Sequence, residues 1–128
     1  MTPTENEMFV AGFYAMAAEA HANSRAKGFW STIESLKDHP KWAEIEVIWK
    51  ASRIALFHSE ASEMLEGVRK DLPDDHLPHR SMEVAELADI VIRILDYAGA
   101  YNLPLAEVII EKMNYNSTRP FMHGDKKC

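Results

Sequence analysis

Cysteine is nearly missing from this 128-residue chain. The single one, Cys128, can form neither an internal disulfide nor, unaided, a thiolate metal site, which fits a reducing compartment. Long apolar runs are missing too: no stretch approaches the ~20 residues needed to cross a bilayer, so no membrane partner is expected. The segment from Met8 to Ala18 is apolar, but Glu5 and Glu7 precede it where a secretory leader would carry positive charge. A cytoplasmic location is the expectation. Positive charge is the minority, with 14 Lys and Arg against 20 Asp and Glu and a formal charge of -6. That balance argues against a nucleic-acid polymer as partner, since a phosphate backbone needs concentrated Lys and Arg. Repeats and low-complexity segments are also lacking. At this length, with 47% hydrophobic and 27% charged residues, a single domain over 1–128 is the default.

What is present is helical. Proline and glycine cluster between periodic segments and leave four helical stretches without a convincing strand, so the class is all-α. Thr2, Pro3 and Glu5 supply a cap, a first-turn proline and a capping-box partner for a helix from about Pro3 to about Ala26, ended by Gly28. Phe29 to His39 reads as a connector. Pro40 can open a second helix reaching about Lys70, before Pro73 and Pro78. Ser81 can cap a third ending near Tyr101, and Pro104 a fourth running to about Ser117. The tail from Thr118 is expected to be basic and irregular.

The third segment is unusual. From Val84 to Ala98 every residue is apolar or small except Glu86, Asp89, Arg93 and Asp96, which share one angular sector of a helix. A helix apolar around so much of its circumference is normally surrounded by protein. Three neighbouring helices can hardly cover it, so a bundle completed by a homodimer or homotetramer is expected. In the second segment Ile45, Trp49, Ser52 and Leu56 are expected to face inward, with Glu60 and Glu63 continuing that stripe.

Acids three apart sit about 5 to 6 Å from one another between Cβ atoms on adjoining turns. Glu60 with Glu63, and Glu86 with Asp89, can therefore each pinch an ion. Carboxylates that close repel by roughly 1 to 4 kcal/mol per pair at surface-like dielectrics, a conflict that a divalent cation removes. Oxygen ligands without a nearby His or Cys favour Mg2+, with Mn2+ as a substitute, over zinc. Such acids are also common on solvated helix faces. Here both pairs lie on otherwise apolar segments, where an unpaired charge would be costly.

These residues carry a family resemblance. Glu60-Ala61-Ser62-Glu63 followed by Glu86-Leu87-Ala88-Asp89 resembles the ExxE and ExxD signature of the MazG-like all-α nucleoside triphosphate pyrophosphohydrolases. Ile90 to Asp96 is similar to the continuation of that family's helix, and Glu111 to Lys126 to its closing motif. His21, Asn23 and Lys27-Gly28-Phe29-Trp30 resemble the N-terminal segment of one branch, so the likeness spans nearly the whole chain. Asp125 departs from the pattern, which often has a second glycine there.

The resemblance implies a helical dimer or tetramer that hydrolyses a (deoxy)nucleoside triphosphate between its α and β phosphates, with magnesium. Glu60, Glu63, Glu86 and Asp89 would hold the metal and carry catalysis, with Glu83 as an additional candidate. Lys112, Asn116 and Arg119 share a face of the fourth segment and its end; with Lys126 they could hold phosphates, or simply form an exposed basic helix end. His21, Asn23 and Trp30, with Phe29, could form a base pocket or ordinary packing. Arg93 and Asp96 read as a mutual ion pair, and His76 and His79 as surface residues. A di-iron bundle is excluded because no His follows a Glu by three positions. There is also no His directly followed by Asp, and no Walker loop. The alternative is a non-catalytic helical dimer that binds nucleotide or metal in a regulatory role.

Overall fold

The computed structural model describes residues 1–127, without the side chains of His123 and Asp125. The readings placed on Cys128 and on the Asp125 side chain lie outside the described residues. The described chain is all-helical: α1 (Pro3–Ala26), α2 (Ser31–Glu34), α3 (Trp42–Lys70), α4 (Met82–Tyr101), α5 (Leu105–Ser117) and α6 (Met122–Asp125). None of these helices is long and apolar enough to cross a membrane.

Local chemistry sets the ends of the four long helices. The Thr2 hydroxyl accepts from the Glu5 N–H at 3.1 Å while the Thr2 N–H donates to the Glu5 carboxylate at 2.7 Å. This reciprocal pairing satisfies two of the donors a helix start leaves open. Gly28, at φ 86°, provides the left-handed turn after α1. Asp71 and Asn102 adopt the same conformation after α3 and α4, and Ser81 caps α4 by accepting from the Val84 N–H. Two expectations need correction. The connector contains the single turn α2, because Trp30 and Ile33 on either side of its start are both buried. The tail contains the short α6.

The connections then dictate the packing. The turn between α3 and α4 folds them into an antiparallel hairpin, α1 lies along the other side of α4, and α5 docks on α1 through the fully buried Ala106. Close approach of α1 and α4 depends on Gly99: a Cβ there would stand 2.8 Å from the Ala17 carbonyl oxygen and 3.1 Å from the His21 Cβ. Around this contact lies a small core of Ala17, Trp30, Ile33, Leu95, Ala98 and Ala106. Aromatic rings extend it, with Trp30 against Trp49 and Tyr101, and Tyr97 against Phe57. The inward face of α3 differs from expectation at Glu63, which is exposed, and at a second position. Ser52 is exposed and Arg53 takes its place, because seven residues bring Arg53 back to within about 20° of Glu60, whereas eight leave Ser52 about 80° away.

On this packing, Gly99→Ala is predicted to lower unfolding stability by about 1 to 3 kcal/mol, since backbone and not a flexible side-chain end meets the new methyl. Gly12→Ala, in open space on α1, should be neutral or stabilising by up to about 1 kcal/mol through helix propensity. Urea denaturation of both variants checks this, and equal midpoints would contradict the close α1–α4 approach.

Candidate metal centre and cleft

Glu60 on α3 and Glu86 on α4 are the two buried charged residues of the described chain. They lie opposite one another in the hairpin, where facing faces of antiparallel helices must meet. Glu63, one turn further along α3 and exposed, joins them, and one ligand oxygen from each of the three lies within 4.8 Å of the others. Three of the four expected acids thus converge. Asp89 does not join that group: three residues after Glu86 it is rotated about 60° away, out of the helix interface and onto the wall of the adjoining cleft. Glu83 is exposed.

Crowding changes how these acids hold protons. Burial first, and then hydrogen bonding and repulsion from the neighbouring Glu60 and Glu63, together push the Glu86 carboxyl up to about 8. Its Oε2 is buried without a hydrogen-bond partner. Burial acts in the same sense on Glu60, but hydrogen bonding from Arg93 and its two acidic neighbours outweighs it and leaves Glu60 below the ordinary value. Asp89 is raised, by desolvation first and by Glu60 second. The cluster therefore has one acid held ionised, one held neutral near pH 7, and an orphaned oxygen between helices. The three acids could hold a divalent ion, which would satisfy Glu86 Oε2 and cancel the repulsion.

Beside the cluster opens a cleft of about 350 Å³. The end of α1 supplies Asn23 and Lys27, the connector Phe29 and Trp30, α3 Arg53, Phe57 and Glu60, and α4 Asp89, Arg93 and Asp96. Acids and aromatics far apart in sequence are thus brought to one cavity. Phe29 is 61% exposed, whereas Trp30 is 4% exposed. Trp30 donates its indole N–H to Asp96 at 3.0 Å, and His21 Nδ1 pairs with the same carboxylate at 2.8 Å. His21 stands behind Trp30, lining a different cavity. Of the expected base-binding residues, Asn23 and Trp30 line the cleft and His21 does not.

The expected Arg93–Asp96 ion pair is a further correction. Arg93 Nε donates to Glu60 Oε1 at 2.5 Å, because Arg93 faces α3 while Asp96 faces α1 and the connector. The expected phosphate-binding residues lie elsewhere in the chain. Lys112 and Arg119 gather about the Tyr115 ring at 5.4 and 5.9 Å, and Asn116 and Lys126 are exposed. None of the four lines the cleft, whose cations are Lys27, Arg53 and Arg93. Arg53 was legible in principle, two turns before Glu60 on one face of α3. The chain matches no family profile, no curated protein and no solved structure.

Glu86 generates a pH prediction. Its folded-state pKa of about 8 lies above the ordinary 4.5, so the folded form binds the extra proton in between. Its contribution to stability is full below pH 4.5 and is lost as pH rises through 8. Without divalent metal, the denaturation midpoint of the wild type should fall across that window relative to Glu86→Gln, whose amide does not titrate. Parallel pH profiles for the two proteins would contradict the buried, proton-holding Glu86.

Proposed function

We propose that this chain is a MazG-like, magnesium-dependent hydrolase that cleaves a nucleoside triphosphate between its α and β phosphates to give the monophosphate and pyrophosphate. The observation that carries this reading is the three-carboxylate cluster, with its orphaned Glu86 oxygen, opening onto a cleft that combines arginines with an aromatic wall. The sequence resemblance supplies the reaction class. Glu60, Glu63 and Glu86 would hold the metal, and when bound such an ion cancels phosphate charge and lowers the pKa of a coordinated water.

The chain's own residues divide the remaining work. Lys27, Arg53 and Arg93 line the cleft and offer positive charge to the phosphates, and the two guanidinium groups can each grip a pair of phosphate oxygens. Phe29 offers a face on which any base can stack, and Asn23 an amide that can read its edge. Asp89, the one acid of the four outside the cluster, is free to take the proton of the attacking water. The working unit is a homodimer or homotetramer, a reading favoured by the exposure of Val84, Leu87 and Val91 on α4. Lys112, Asn116, Arg119 and Lys126 would then reach phosphates only from another subunit. The Arg93–Glu60 pair favours a second reading, a regulatory module that binds nucleotide without cleaving it, because Arg93 already occupies one metal-facing oxygen.

Pyrophosphate release from a panel of ribo- and deoxyribonucleoside triphosphates, with and without magnesium, separates the two readings. We predict magnesium-dependent release; nucleotide binding without release would leave the regulatory module. Glu63→Ala should cut kcat by more than about a hundredfold and weaken manganese binding, followed by calorimetry, while the exposed site leaves folding intact. Asp89→Ala should cut kcat comparably yet retain manganese. Unchanged turnover in both variants would sink the assignment.

A further inference from the structure

Arg93 stands where the acid cluster and the cleft meet. Its Nε donates to Glu60 Oε1 at 2.5 Å, and among the described residues its other N–H groups have no hydrogen-bond partner in the chain. Both residues line the cleft, but their exposure is unequal: the Arg93 side chain is 39% exposed and that of Glu60 9%. Breaking the pair would therefore cost the two partners differently. The guanidinium can keep water around it, whereas the Glu60 carboxylate would be left buried beside Glu63 and Glu86 with its charge uncompensated. A second cation at the acids offsets that loss.

The cleft offers Arg93 another position. Arg53, on the α3 wall, lies over the Trp49 ring at 4.1 Å and donates to the Ser52 hydroxyl, and among the described residues no carboxylate pairs with it. Burial first, and the charge of Arg93 second, make Arg53 release its proton more readily than usual, so the two guanidinium groups already repel one another. A tetrahedral anion between them relieves a repulsion that no carboxylate of the chain relieves at Arg53.

We propose that Arg93 is an exchangeable counter-ion: it and a divalent cation are alternative partners of the Glu60 charge, and an anion in the cleft that takes Arg93 tightens the cation at the acids. The inference rests on the cation-binding part of the hydrolase reading and not on cleavage. One carboxylate charge cannot serve two cations fully, and a guanidinium next to a divalent ion repels it. An anion that draws Arg93 toward Arg53 removes that competitor, and by linkage the cation strengthens the anion by the same factor. Bare anions bind weakly, because to reach them Arg93 must leave Glu60 facing its acidic neighbours. The cleft is thereby set against free anions and in favour of those arriving with a divalent ion.

Binding of manganese alone to the full chain, followed by loss of the free-ion paramagnetic resonance signal, tests this in sulfate and in chloride at equal ionic strength. Sulfate is expected to tighten manganese about fivefold in the wild type. Arg93→Gln should bind manganese about tenfold tighter than the wild type in chloride and should lose the response to sulfate. Arg93→Lys, which keeps a charge beside Glu60, should stay within about threefold of the wild type. Arg53→Gln separates competition from the general loss of positive charge in the cleft, since Arg53 does not pair with Glu60: in chloride its manganese affinity should change by less than about twofold. An Arg93→Gln variant that binds manganese no tighter than the wild type, or that keeps the full sulfate response, overturns the proposal. A wild type that binds no manganese, or binds it equally in sulfate and chloride, overturns it without recourse to any variant. Pyrophosphate release is read separately. A chain that shows the coupling and releases no pyrophosphate supports the proposal and rejects the hydrolase reading; one that releases it without the coupling does the reverse.

Discussion

The structure depends on holding two buried carboxylates face to face. Glu60 and Glu86 occupy the α3–α4 interface, where an unpaired charge is costly and two of like sign oppose the packing of the helices that carry them. Arg93 and the proton on Glu86 relieve this, and Glu86 Oε2 still lacks a partner. The rest of the hairpin must therefore hold against a local repulsion. At one end Gly67 admits Met82 so closely that a Cβ would stand 2.8 Å from it. The turn beyond is pinned by Asp74, whose side chain accepts from the His76 and Leu77 N–H groups. Toward the other end Phe57 and Tyr97 meet edge to face. Stability is given up at one place and regained on either side of it.

Asp96 extends that arrangement to the second wall of the cleft. It accepts from the Trp30 indole and pairs with His21, joining the connector and α1 to α4 through one carboxylate. Trp30 in turn touches Trp49 of α3 and Tyr101 of α4. The aromatic wall is thus built on rigid helices and tied to the element that carries Glu86. Phe29, next in sequence, is left to project. Adjacent residues thus serve packing and exposure separately.

How much of this was legible follows from the range of the forces involved. The four long helices were legible to within about two residues, because Thr2, Pro3, Gly28 and Ser81 act on the backbone they sit in. The single turn α2 was not, since it exists only because Trp30 and Ile33 find a core made by other segments. Glu60, Glu63 and Glu86 could be picked out as acids three apart on apolar segments. That Asp89 would leave the group depended on the rotation of α4 against α3, which spacing within one helix does not encode. The partner of Arg93 was hidden for the same reason: an i, i+3 neighbour is visible in sequence, whereas Glu60 on the opposite helix is not. Lys112, Asn116 and Arg119 do share the end of α5, but Ala106 commits that helix to α1, away from the cleft.

α3 presents two different faces over its 29 residues. It carries Arg53 and Glu60 toward the cleft and α4, and leaves Val47, Ile54, Leu65 and Val68 exposed on the other side. The two faces are mechanically linked, because a helix is stiff over this distance and a rotation that turned those apolar side chains toward α4 would also turn Glu60 and Glu63 away from Glu86. Within the chain, therefore, the apolar side chains stay exposed for as long as the three acids stay together.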